Sequence, residues 1–565
     1  MKKIIVLTFV VALFTNCSRN PNTVTLEKTK GLIVDKAMVV SAREEASKIG
    51  VEVMRLGGNA FDAMIATDLA LLVAYPVAGN IGGGGFMVFR MNDGSIGALD
   101  YRETAPLLAT KNMFLDEKGI VDSDKSKLGA LAIGVPGTIA GLFEIHSKFG
   151  TLSFDTLIQP AIDLAKKGIV VTEAQVKRLN RHKKSFRNIN QKHILYDQDW
   201  RTGDTIKNPL LAQTLERIKI YGKDDFYKGK TADLIVEQIK KLGGIITKED
   251  LETYKVKWRE PITFIYKDHT IISMPPPSSG GVCLAQILKS IAPFNIGQYK
   301  HNSKKYIQLI VEAERRAYAD RSHFLGDPDF INIPMDSLTD LKYLSQRMES
   351  FNWNKATKST ALSHGSFTGI ESNETTHYSI VDPFGNSVSV TTTLNGAFGS
   401  KVYVDKGGFF LNNEMDDFSA KPGTPNMFGL VGAEANSILA QKRMLSSMSP
   451  TILEVKGQLK MVLGSPGGST IITTVLQNIL NVLEYNMTMQ ESVSKPRFHH
   501  QWLPDVIKFE PSFDTVVFDS LKKLGYKIDQ SNSQIIGKTD AILVLPDGRL
   551  EAGADPRGDD KAEGF

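Results

Sequence analysis

With 565 residues, 42% of them hydrophobic and 23% charged, the chain has the composition of a folded protein able to bury more than one ordinary core, which excludes a disordered chain. A formal net charge of +5 and a pI near 8.7 are mild for this length, so no nucleic-acid footprint or polybasic membrane patch is expected. Only two cysteines, Cys17 and Cys283, are present, which leaves no disulfide framework and no cysteine metal site.

Residues 1–17 form a separate object. Met1-Lys2-Lys3 is a positive start, and the apolar run from Ile4 to Phe14 is too short to span a bilayer, so the stretch reads as a secretory signal and predicts export. It ends Leu13-Phe14-Thr15-Asn16-Cys17, which resembles a bacterial lipoprotein box with Cys17 as the lipid acceptor; Phe14 and Asn16 depart from the strict pattern, and simple cleavage nearby is the alternative. The expected location is the periplasm, or the membrane surface of a bacterium through that lipid. Polar residues from Ser18 to Thr23 would form the tether.

Ala37-Met38-Val39-Val40 predicts a strand, followed by an amphipathic helix to Leu56. Gly57-Gly58-Asn59 stops that helix and caps the next, which is apolar on nearly every side from Ala60 to Val73 and is therefore expected to be buried. The glycines of Gly79 to Gly85 lead into a strand, Phe86 to Phe89, where a nucleotide fingerprint needs a helix, so close backbone approach is the better reading. Arg102, flanked by acids in Leu99 to Pro106, suits a structural ion pair or a carboxylate receptor. Ala132 to Phe143 predicts a glycine-rich strand-to-helix turn, and residues 150–350 read as mainly helical, interrupted by the turn Met274 to Gly281. Within that span, Lys177 to Arg187 predicts a solvated basic helix face, Cys283 a buried small hydrophobe, and Glu312 to Phe324 a strongly charged helix. From Ser350 to Glu374 the chain is polar with little periodicity.

Asn373 to Asn395 reads as two alternating strands around Asp382-Pro383-Phe384-Gly385, with Pro placed for a type I turn and Gly for a left-handed residue. If Asp382 pairs with Asn386, Thr375 lies opposite Thr393 and both hydroxyls share one face. Beyond the hairpin, Leu411 to Ser419 concentrates three carboxylates, Lys442 to Pro450 sets hydroxyls beside bases, and Gly467-Gly468-Ser469 opens an apolar helix with free N–H groups suited to an oxyanion.

The string Thr375-Thr376-His377-Tyr378-Ser379, the Asp-x-x-Gly-Asn turn and the Thr393-Leu394-Asn395 end resemble the processing site of the γ-glutamyltranspeptidases, and further motifs follow in the family's order from about Ala37 to the C-terminus. The resemblance implies an α+β fold of the Ntn-hydrolase (N-terminal nucleophile) type, a four-layer αββα sandwich. A precursor would cut itself between Glu374 and Thr375 into a large subunit, 18–374, and a small catalytic subunit, 375–565, that stay together as a heterodimer. Thr375 would be the nucleophile, oriented by the Thr393 hydroxyl, and Gly467 and Gly468 would hold the oxyanion. Arg102, Ser446 and Ser447 would take the substrate's α-carboxylate; Asn395, Glu414 and Asp417 would take its ammonium. The implied substrates are glutathione and other γ-glutamyl compounds, with water, amino acids or dipeptides as acceptors, and neither cofactor nor metal. Phe428 departs from the tyrosine that many bacterial relatives carry in a loop covering the site. Rival readings are an acylase of cephalosporin side chains or poly-γ-glutamate, and an unprocessed surface-binding lipoprotein, for which a self-cleaving threonine has no use.

Overall fold

The computed structural model describes residues 28–362, 375–529 and 535–565; the leader with Cys17, and Glu374 with the polar stretch before it from residue 363, lie outside the described residues. Two antiparallel sheets of seven strands carry the architecture. The first runs in the order Lys561–Gly564, Met38–Ser41, Thr376–Val381, Ser387–Thr393, Gly84–Arg90, Ile96–Asp100 and Lys257–Arg259. The second runs Ile33–Val34, Leu550–Ala554, Asp540–Val544, Gln458–Gly464, Thr451–Val455, His269–Ser273 and Ile262–Tyr266.

Strand alternation sends successive side chains to opposite faces, and here each face meets a different core. Val39, Met87, Leu99, Tyr378, Ile380, Val388 and Val390 join the helices Glu44–Arg55 and Ala60–Ala74 in one core, whereas Met38, Val40, Phe86, Val88 and Ala98 join the second sheet in the other. The sheets are stitched by hydroxyls: Ser379 Oγ donates to Asp540 O at 2.9 Å and Ser389 Oγ to Leu463 O at 3.0 Å. Helices Gly280–Ile291, Ile471–Tyr485 and Met489–Ser494 cover the far face of the second sheet. The result is the expected layer order of helices, sheet, sheet and helices.

The central hairpin has the expected register, with Thr376 opposite Thr392 and Val381 opposite Ser387. Its turn is local chemistry. Asp382 Oδ1 accepts the N–H groups of Phe384 and Asn386, and Gly385 has φ +88°. The other carboxylate oxygen accepts Ala60 N–H at 2.9 Å, so the turn also caps the helix Ala60–Ala74, all of whose residues are buried. Asn59 closes a capping box with Asp62 at the same end.

Two expectations need correction. The span 150–350 is not only helices around one turn: Lys257–Arg259 and Ile262–Tyr266 are edge strands of the two sheets, and His269–Ser273 lies one strand in from the edge of the second. The alternation of Ile262, Phe264 and Tyr266 was the available signal, masked by the charged neighbours of an edge strand. Before the helix Thr138–Phe149 there is no strand but a short 3-10 turn, Ala130–Ala132, with only Val135 bridging to Thr104. The charged helix begins earlier than its charges, at Lys304, and Glu312, Glu314, Arg315, Arg316, Asp320 and Arg321 are all buried. No helix among the described residues is long and apolar enough to cross a membrane.

Candidate active site

Thr375 stands just before the first hairpin strand, 4% exposed. Period-2 alternation places it on the inter-sheet face with His377 and Ser379, and Thr393 with Thr391 and Ser389. His377 is a spacer between the sheets: its ring bonds Thr391 Oγ1 at 2.9 Å and Ser379 Oγ at 3.1 Å, and burial pushes the imidazole down to about 3, so it is neutral. At the open end of this face, Thr375 and Thr393 line one pocket. The Thr393 hydroxyl accepts Asn395 N–H at 2.7 Å. Among the described residues, no hydrogen bond joins it directly to Thr375. A Cβ on Gly83 would fall 2.0 Å from Thr393 O, so the glycine run does serve close approach.

The strand Ile96–Asp100 delivers Arg102 to the same pocket, 1% exposed. Its guanidinium is forked between Glu414 and Asp417, each at 2.6 Å, with Glu103 at 3.6 Å. Both receptors expected for a zwitterion's two ends are thus present and neutralise each other. Burial pushes Asp417 up to about 6 and Glu103 to about 8, against the pull of Arg102, and raises Glu414 well above the usual carboxylate range. Burial works to lower Arg102, but Glu414, Glu103 and Asp417 together hold it charged.

Ser446 and Ser447 line the same pocket as Arg102. The Pro-rich turn after His269–Ser273 is their platform: Ser279 N and Oγ both donate to Ser446 O, and Ser446 N donates to Pro277 O. Arg321, which the sequence reading did not single out, is buried and lines the pocket too. It donates to Ser279 Oγ at 2.9 Å and Ser447 Oγ at 3.2 Å, and no carboxylate lies within ion-pair distance of it among the described residues. Its position on a charge-rich helix hid it.

Gly467, with φ +134°, and Gly468, with φ +54°, precede the helix Ile471–Tyr485; neither N–H has an acceptor among the described residues. Gly468 lines the pocket, and the Phe428 ring lies directly over it, 2.3 Å from where a Cβ would stand. Asn395, also in the wall, donates to Asn413 O at 3.0 Å and adopts φ +69°, which asparagine tolerates. Of the predicted site residues, Thr375, Thr393, Asn395, Arg102, Glu414, Asp417, Ser446, Ser447 and Gly468 are brought together, and Gly467 adjoins them. Cys283, buried with its thiol pushed up to about 12, is a packing residue.

Comparison with known proteins bears on the chain as a whole. The glutathione hydrolase proenzyme of Escherichia coli (strain K12) is 44% identical over 535 residues, 94% of this chain and 92% of its own length. The γ-glutamyltranspeptidase of Helicobacter pylori superposes with a TM-score of 0.56 at 42% identity, over 60% of this chain and 97% of that one. A cephalosporin acylase from Bacillus halodurans shares the fold, with a TM-score of 0.83 over 97% of this chain and 99% of its own, at 23% identity. The model of the gamma-glutamyltranspeptidase family matches residues 46–565, and the chain belongs to that family.

Proposed function

We propose that this protein transfers γ-glutamyl groups from glutathione and related compounds to water, amino acids or dipeptides, after cutting its own chain before Thr375. The observation that carries the reading is the convergence on one pocket of a hydroxyl pair at a hairpin end, an arginine forked between two acids, and two unengaged glycine N–H groups.

In self-cleavage, Thr375 Oγ attacks the carbonyl carbon of Glu374; the Thr375 nitrogen leaves as an amine, and water hydrolyses the resulting ester. The new N-terminus supplies the base the site otherwise lacks, since an α-amine has an unperturbed pKa of about 8 and His377 is neutral and turned to Thr391 and Ser379. In turnover, Thr375 Oγ attacks the γ-carbonyl while the amine accepts its proton. The Gly467 and Gly468 N–H groups receive the oxyanion, a contribution of about 3–4 kcal/mol for each donor. Collapse expels the leaving amine, which takes the proton, and water or an acceptor amine then attacks the γ-glutamyl ester.

Recognition is an exchange of partners. The substrate's α-carboxylate would take Arg102 together with Ser446 and Ser447, and its ammonium would take Glu414, Asp417 and Asn395, each replacing part of the internal ion pairs. Export, with or without lipid on Cys17, is part of the same proposal and rests on the leader alone. The test is chromophore release from a γ-glutamyl anilide by the purified protein, with and without glycylglycine. Acceleration by the dipeptide establishes transfer, and no release in either case overturns the reading.

A further inference from the structure

In the loop 421–432, the side chain of Asn426 hydrogen-bonds a residue of the pocket wall, Asp417. Its Oδ1 accepts the N–H groups of Phe428 at 3.0 Å and Leu430 at 3.2 Å, while its backbone closes the turn with Leu430 O and Gly429 N. Its Nδ2 donates to Asp417 Oδ1 at 3.1 Å. The other oxygen of Asp417 is engaged by Arg102 at 2.6 Å. One amide therefore does two things: it folds the turn that seats the Phe428 ring over Gly468, and it fixes the rotation of a carboxylate in the pocket. Phe428 carries no hydroxyl with which to tie itself to the pocket wall.

We propose that Asn426 is a positioning and specificity-determining residue: through it, an ammonium held by Asp417 and the seating of Phe428 over the Gly468 N–H become one coupled event. The proposal rests on the γ-glutamyl reading for the identity of the ammonium. In physical terms, a carboxylate already oriented by a charge-assisted hydrogen bond receives a cation without losing rotational freedom on binding. The preference for substrates with a free α-ammonium then depends partly on a residue that never touches it.

The loop does not hang on this bond alone. Met427 N donates to Asp416 Oδ2 at 2.8 Å and Gln501 Nε2 donates to Phe428 O at 3.1 Å, so a variant at 426 should fold. Asn426→Ser is the informative change, because a serine hydroxyl still accepts the N–H two residues on but is too short to reach Asp417.

The experiment compares wild type and Asn426→Ser on γ-glutamyl-4-nitroanilide and on glutaryl-4-nitroanilide, which keeps the carboxylate and lacks the ammonium. We expect kcat/KM for the γ-glutamyl compound to fall at least tenfold and that for the glutaryl compound to fall less than threefold. Loss of the donor also makes the Asp417 carboxylate harder to ionise, so the acid limb of the kcat/KM profile should move up by at least half a pH unit. Asp417 titrates here among Arg102, Arg321, Glu103, Glu414 and Asp416, all of which the variant leaves in place. Equal losses on both substrates, or an unmoved acid limb, would overturn the proposal. Should wild type release nothing from the γ-glutamyl compound, the functional reading falls separately. Hydrogen exchange of the Phe428 amide, whose acceptor the serine keeps, then decides on Asn426: faster in the variant supports the tie to Asp417, and an unchanged rate refutes it.

Discussion

Arg102 shows how much a single residue can be asked to do, since it is both a structural ion-pair partner and the natural receptor for a carboxylate. Arg102→Lys keeps the charge that Glu414 and Asp417 require but loses the planar fork, so it should spare the fold and raise KM for a γ-glutamyl anilide tenfold or more, about 1.4 kcal/mol. Arg102→Met would leave two buried acids without their cation and should cost about 3–5 kcal/mol of stability, read from denaturant unfolding. An unchanged KM in the lysine variant would confine Arg102 to the structural role. The acids predict a pH dependence as well. Asp417 must be ionised to receive an ammonium, and burial raises it to about 6, so kcat/KM should fall as pH drops through about 6. The check is a profile on γ-glutamyl and glutaryl substrates side by side; a limb of the same position and depth on both would remove Asp417 from ammonium binding. These residues were legible because they sit in short, chemically distinctive strings. Arg321 was not, because a buried arginine and a solvated one look alike within a helix as charged as Lys304–Phe324.

At the scale of the element, the hairpin was the most legible part of the chain, since its register follows from a turn closed by hydrogen bonds among five consecutive residues, Asp382 to Asn386. Asp382, Gly385 and Asn386 decide the pairing before any distant contact forms. The strands Ile262–Tyr266 and His269–Ser273 were missed although they pair with each other across the two residues Lys267-Asp268, because that turn carries no glycine or proline to mark it; only His269–Ser273 has a distant partner, Thr451–Val455. The functional consequence of the hairpin is testable through Thr393. Thr393→Val keeps the β-branched shape and removes the hydroxyl that accepts Asn395 N–H. One lost hydrogen bond predicts about 0.5–1.5 kcal/mol of stability, but Asn395, which lines the same pocket as Thr375, loses the acceptor that holds its backbone there, so kcat and the rate of self-cleavage should both fall by more than tenfold. Wild-type rates of both in Thr393→Val would mean that this hydroxyl orients neither.

For the whole molecule, the arrangement of strands fixes what cleavage at residue 375 could do. The strand Met38–Ser41 has as its two neighbours Thr376–Val381 and Lys561–Gly564, both from beyond the cut, and Phe565 O accepts the N–H groups of Lys36 and Ala37. Ser387–Thr393 pairs with Gly84–Arg90, and in the other sheet Thr451–Val455 pairs with His269–Ser273. Near the end of the first fragment, Ser359 is pinned from the second: its N–H donates to Asp505 at 2.8 Å and its carbonyl accepts from Trp502 Nε1 at 3.1 Å. Neither fragment completes either seven-stranded sheet, and both large cores draw residues from each fragment, so cutting the chain should not separate the pieces. We therefore predict that the active protein runs as two bands in denaturing gels, the smaller beginning at Thr375, yet elutes as one species without denaturant. Breaking the chain does change the unfolded state, because unfolding now also releases one molecule from another. The denaturation midpoint of the cleaved protein should accordingly rise with protein concentration, whereas that of an uncut Thr375→Ala variant should not. Fragments that elute separately, or a cleaved form whose midpoint ignores concentration, would show that each side of residue 375 folds alone, contrary to the interleaved sheets.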